Sequence, residues 1–72
     1  MVKTLNKNML KSVMVLHGDI QETLAEYLGI SATTLSLKMN ETNGAEFTQG
    51  EIKKIILRYD LTAEQTMKIF FS

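Results

Sequence analysis

The stretch QETLAEYLGISATTLSLKMN, Gln21 to Asn40, decides how this chain folds. Gly29 divides it. Before the glycine, Leu24, Ala25 and Leu28 recur at helical spacing; after it, Leu35 and Met39 do the same. The two runs predict two short helices sharing one apolar seam. Ala25 is small enough to let them cross closely, and Leu35 anchors the second helix. Gly29 can take the left-handed backbone that a sharp turn demands. Ile30 adds to the shared core, and Ser31 is placed to cap the second helix. Gln21, Leu24, Ala25, Leu28, Gly29, Ile30, Ser31 and Leu35 together form the pattern of a helix-turn-helix.

The flanks are helical as well. Leu5, Met9, Val13 and Leu16 recur at three- and four-residue steps, predicting a first helix from about Thr4 to His17 that ends at Gly18. Asp19 with Glu22 has capping-box spacing for the next helix, about Ile20 to Leu28. NETNG, Asn40 to Gly44, reads as a polar loop. Thr48 with Glu51 opens a fourth helix, whose buried stripe is expected at Ile52, Ile55, Ile56 and Tyr59. Thr62 with Gln65 opens a short fifth helix carrying Met67, Ile69, Phe70 and Phe71. These elements predict an all-α fold, a compact five-helix domain with no strand.

The 72 residues suffice for one domain. A domain of this size buries only about 60% of its unfolded surface, so pairing with a second copy would add stability. There is no cysteine and no proline, which suits a reducing compartment and a helical chain. No apolar run approaches the length of a membrane span, and no signal peptide is evident. The expectation is a soluble cytoplasmic protein.

Lysine plus arginine number 8 and aspartate plus glutamate 8, for a net charge of zero. This lacks the basic surplus typical of nucleic-acid binders. The cations are nonetheless grouped: Lys3, Lys7 and Lys11 early, Lys38 after the central motif, and Lys53, Lys54, Arg58 and Lys68 late. Lys53, Lys54 and Arg58 read as a solvated outer face of helix four.

Catalytic chemistry is poorly supplied. His17 is the only histidine, and its expected role is interaction with the C-terminus of the first helix. A lone histidine without cysteine cannot build a zinc site. The acids form no legible acid–base pair, and no glycine loop for phosphate is present. The segment around NETNG fails as a calcium loop, because placing Gly44 at the turn puts Met39 first. No enzyme activity, cofactor or metal is expected.

The residues from Gln21 to Asn40 resemble the helix-turn-helix of the lambdoid phage repressor and Cro family, also called xenobiotic-response-element-like. FTQGEIKKIILRYDLTAEQTMKIFF, Phe47 to Phe71, is similar to the tail of small Cro-like regulators from phages of Gram-positive bacteria. The resemblance implies a lambda-repressor-like fold and a homodimer on double-stranded operator DNA, blocking promoter use. By position, Ser31, Ala32, Thr33, Ser36 and Leu37 would meet base edges. Thr33 and Ser36 offer hydroxyls, and Ala32 and Leu37 offer methyl contacts to thymine. Gln21, Thr34, Lys38 and Asn40 would meet phosphates.

Two features depart from the family pattern. Arg, Lys or Gln is common where Ala32 and Leu37 stand, and Thr or Ser is common where Ile20 stands. Readout would then lean on methyl groups, hydroxyls and DNA shape. Ile69, Phe70 and Phe71 cannot all face one core from a helix, and a dimer partner is expected to meet at least one. The neutral charge motivates an alternative: a protein-interaction module that keeps the helix-turn-helix but has little affinity for DNA.

Overall fold

A computed structural model describes residues 5–71. The described residues form five α-helices: α1 Lys7–Leu16, α2 Gln21–Leu28, α3 Ala32–Met39, α4 Gln49–Tyr59 and α5 Ala63–Phe70. A single 3-10 turn, Thr42–Gly44, lies between α3 and α4. No described helix is long and apolar enough to cross a membrane.

Each helix sends one fully enclosed side chain into a common core: Leu10, Leu24, Leu35, Ile55 and Ile69. Burying a leucine or isoleucine contributes about 1.5–3 kcal/mol, so these positions supply much of the folding drive. Met14, Ala25, Leu28, Met39, Phe47, Ile52, Tyr59, Leu61 and Phe70 surround them. The first helix sits at a different rotation from the expected one. Its buried residues are Leu10 and Met14, while Leu5, Met9 and Val13 are partly buried and Leu16 is 82% exposed. The apolar stripe of α1 is broad, and its spacing alone does not locate the centre. Ile56 is likewise at the core's edge rather than within it.

Helix starts follow local chemistry. Asn6 caps α1, its Oδ1 accepting from the Met9 N–H at 3.1 Å. The helix thus begins after the expected start; Thr4 itself, with Lys3, lies outside the described residues. Ser31, Thr48 and Thr62 cap α3, α4 and α5 as the sequence predicts, and Glu51 and Gln65 complete the last two boxes. The second helix departs from expectation. Asp19 and Glu22 do not form its capping box. The Ile20 N–H donates instead to the Thr23 hydroxyl at 3.0 Å, because Asp19 is held by partners on α4.

Three helices end alike. Gly18, Gly29 and Asp60 adopt left-handed φ values of 74°, 78° and 51°. After each, the next residue donates back across the last turn: Asp19 to the Met14 carbonyl, Ile30 to Ala25 and Leu61 to Ile56. This is the Schellman arrangement, which satisfies carbonyls that a helix end leaves open. Gly29 makes the α2–α3 turn possible. The start of α1 is fastened to α5, with the Asn6 N–H donating to the Ile69 carbonyl at 2.6 Å.

Two substitutions test this architecture by chemical denaturation. Gly29→Ala is expected to cost about 1–2 kcal/mol, the usual penalty for a left-handed non-glycine residue. Beyond its chain neighbours, no heavy atom lies within 4 Å of the position the new methyl would take, so the loss is backbone strain alone. Phe70→Ala is expected to cost about 3 kcal/mol or more, since Phe70 is only 3% exposed.

Candidate nucleic-acid interface

The capping geometry that starts α3 also decides which of its side chains reach the surface. The Ser31 Oγ accepts from the Thr34 N–H at 3.0 Å and donates to the Thr34 Oγ1 at 2.9 Å. Leu35 and Met39 point into the core, and Ala32 is partly buried against it. The opposite face carries Thr33, Leu37 and Asn40, all exposed, with Thr34 and Ser36 half-buried beside them. Leu37 is 42% exposed. This face therefore offers a hydroxyl, an isobutyl group and a carboxamide.

The expected base contacts divide accordingly. Ser31, Thr33 and Leu37 lie at the surface, and Ser36 lies at its margin. Ala32, expected at a base edge, packs against the core instead. The expected phosphate contacts also divide. Gln21 opens α2 and is half-buried. The Thr34 hydroxyl is engaged with Ser31. The Asn40 Nδ2 donates to the Ser36 carbonyl at 2.9 Å, closing the end of α3. Lys38 does not extend outward: its Nζ donates to both carboxylate oxygens of Glu51, at 2.6 and 2.8 Å.

One cation at this face lies outside the helix-turn-helix motif. Lys7, at the start of α1, places its Nζ 2.8 Å from the Asn40 Oδ1. Its hydrogen-bond partner is neutral, so the pairing leaves the lysine's charge uncancelled. The sequence groups Lys7 only with Lys3 and Lys11; the fold alone carries it to the end of α3.

A polar clasp fixes α2 against α4. Arg58 donates to Asp19 through Nε at 2.6 Å and Nη2 at 2.7 Å. The Tyr59 hydroxyl donates to the same carboxylate at 2.6 Å, and the Thr23 hydroxyl at 3.0 Å. The Arg58 guanidinium lies over the Tyr27 ring at 4.7 Å, a favourable cation–π arrangement. The His17 ring stands 5.0 Å from that of Tyr59. Arg58, expected on a solvated face, is thus committed to Asp19, whereas Lys53 and Lys54 are exposed as expected. The Arg58 hydrogen bonds, with those of Tyr59 and Thr23, hold the Asp19 carboxyl well below the usual range against the opposing effect of burial. Burial and the Asp19 charge push the Tyr59 hydroxyl upward.

The expected dimer residues are corrected in part. Ile69 is fully buried and Phe70 nearly so within the same chain, with the Phe70 ring edge-on to Phe47 at 6.0 Å. They are core because α5 folds back over the domain. Phe71 is 42% exposed. Among the described residues, no group of three His, Cys, Asp or Glu side chains is placed to hold a metal. Comparison with family models, with curated proteins and with solved structures found no match.

Asp19 has a depressed folded-state value, so its contribution to stability is complete above its unfolded value of about 4 and is lost as pH falls. Asp19→Asn is expected to cost about 2 kcal/mol at neutral pH and to flatten the fall in stability below about pH 4. Urea unfolding of both proteins across that range checks this. Equal stability at neutral pH would show that the ion pair contributes nothing net.

Proposed function

We propose that this protein is a DNA-binding transcription regulator that lays α3 in the major groove. The observation that carries the reading is the exposed row on α3. Thr33 and Leu37 project from a helix whose opposite side is locked by Leu35 and Met39, and the exposed Asn40 caps its end. A groove-reading helix needs such a rigid inner side and such a free outer one. Thr33 can donate to or accept from a base edge, and Leu37 can pack on a thymine methyl. Ser31 stands beside the row at the start of α3, and Gln21 opens α2 where a backbone phosphate would pass.

The charge pattern shapes the mechanism. The chain has no net charge, and Lys38 and Arg58 are occupied by carboxylates. Binding therefore draws on few phosphate contacts, with Lys7 the best placed. Weak electrostatic attraction leaves selectivity to close fit and to the shape of the duplex. Two copies on half-sites one helical turn apart would double the contact and would block a promoter sterically.

A second reading has its own observation. Val15 and Leu16 are 75% and 82% exposed, and with Lys11 and Ser12 they line a shallow depression on α1. Apolar groups so exposed favour a protein-interaction module. Titration of the protein with DNA from its own promoter region and with a scrambled duplex separates the two readings. A selective complex that weakens as salt rises supports the regulator; equal or undetectable binding to both duplexes favours the module.

Thr33→Ala combined with Leu37→Ala is expected to reduce the preference for promoter DNA by about three- to tenfold, since a single hydroxyl and a methyl contact each discriminate less than the bidentate pairs worth about 1–3 kcal/mol. Stability should change by no more than about 0.5 kcal/mol per site, because both side chains are exposed. Retained selectivity in a folded double variant would remove these residues from the readout.

A further inference from the structure

Lys38 and Glu51 pair where α3 passes the start of α4. Their side chains are 15% and 12% exposed, so both are largely withdrawn from solvent. Glu51 is not free to swing away. Its Oε1 also accepts from the Thr48 N–H at 2.9 Å, as part of the cap that starts α4. The carboxylate is a fixed post, and it draws the Lys38 ammonium back from the outer surface. Lys38 otherwise stands one turn beyond Thr34 on the same flank of α3. Burial raises the proton affinity of Glu51, but hydrogen bonds from Lys38 and from Thr48 outweigh it, and the carboxyl lies below its ordinary range. Lys7 is bonded at the same face to the neutral Asn40 rather than to a carboxylate.

We infer that Glu51 sets the affinity of this face for DNA by withholding Lys38 from phosphate. The inference rests on the DNA-binding reading above. The protein engages the duplex with one cation fewer than its sequence carries near α3. Moving Lys38 onto a phosphate would strand a partly buried carboxylate, which is costly, so the pair persists in the complex. Neutralising Glu51 releases the lysine. Glutamine retains an oxygen for the Thr48 N–H, so the substitution removes the charge while keeping the cap.

The test compares the full chain with Glu51→Gln, Lys38→Ala and the double variant, using promoter and scrambled duplexes by fluorescence anisotropy across a range of salt. Glu64→Gln, at the exposed pair with Lys68, controls for the added charge alone. Circular dichroism confirms folding. Glu51→Gln is expected to bind about fivefold more tightly at low salt, with a log–log salt slope steeper by about 0.9, the increment for one phosphate contact. Lys38→Ala alone should keep the parent's salt slope, Glu64→Gln should stay within about twofold of the parent's affinity, and the double variant should lose the gain. The inference is overturned if Glu51→Gln binds no more tightly, if the double variant keeps the gain, or if Glu64→Gln reproduces it. Selective binding by the parent would then leave the DNA reading standing. If Glu51→Gln loses its helical signal, the salt slope of Lys38→Ala decides: a slope shallower than the parent's by about 0.9 would show that Lys38 already contacts phosphate and would overturn the inference. No selective binding by any of the proteins overturns both readings together.

Discussion

The structure depends on one shared apolar centre. Leu10, Leu24, Leu35, Ile55 and Ile69 come from five different helices and are all inaccessible to solvent. None of these helices, at eight to eleven residues, would persist alone in water. Each becomes stable only by giving its apolar side to the others. The packing also fixes the rotation of α3, and hence which of its residues face outward. With Leu35 and Met39 inside, Thr33 and Leu37 have to be outside.

Charge is managed by the same packing. Asp19 and Arg58 are far apart in the chain, yet they meet where the α1–α2 turn passes α4. Lys38 and Glu51 meet where α3 passes the start of α4. A half-buried ion pair with several hydrogen bonds resists opening, because either partner left alone loses its compensation. Two cations that composition would count toward attracting phosphate are therefore committed to carboxylates. Lys7, bonded to an amide, is the contrasting case. The zero net charge understates the imbalance: the cations nearest to α3 differ in availability, not in kind.

The caps show how local chemistry and long-range contacts divide the work. Ser31, Thr48 and Thr62 act as their spacing predicts, since each needs only an amide three residues ahead. Gly18 and Gly29 end their helices for an equally local reason, their freedom at positive φ. Asp19 has the spacing of another cap, but its carboxylate is drawn instead to Arg58 and Tyr59. Asp60 ends α4 in a left-handed conformation that the sequence does not announce, because no glycine marks it.

The five helices, most of their caps and the α2–α3 turn were determined by the sequence alone. They follow from apolar spacing, side-chain caps and glycine's freedom at positive φ, all of which act within a few residues. The exposed positions of Thr33 and Leu37 were legible for the same reason, given Leu35 as the inner anchor. Tertiary structure alone decided that Ile69 and Phe70 are core, that Arg58 and Lys38 are paired, that Ala32 packs inward, and that Lys7 reaches Asn40. Each of these depends on which helix lies beside which. Residues that meet across tens of positions leave no periodic signal in the chain, and only the packing of the apolar centre brings them together.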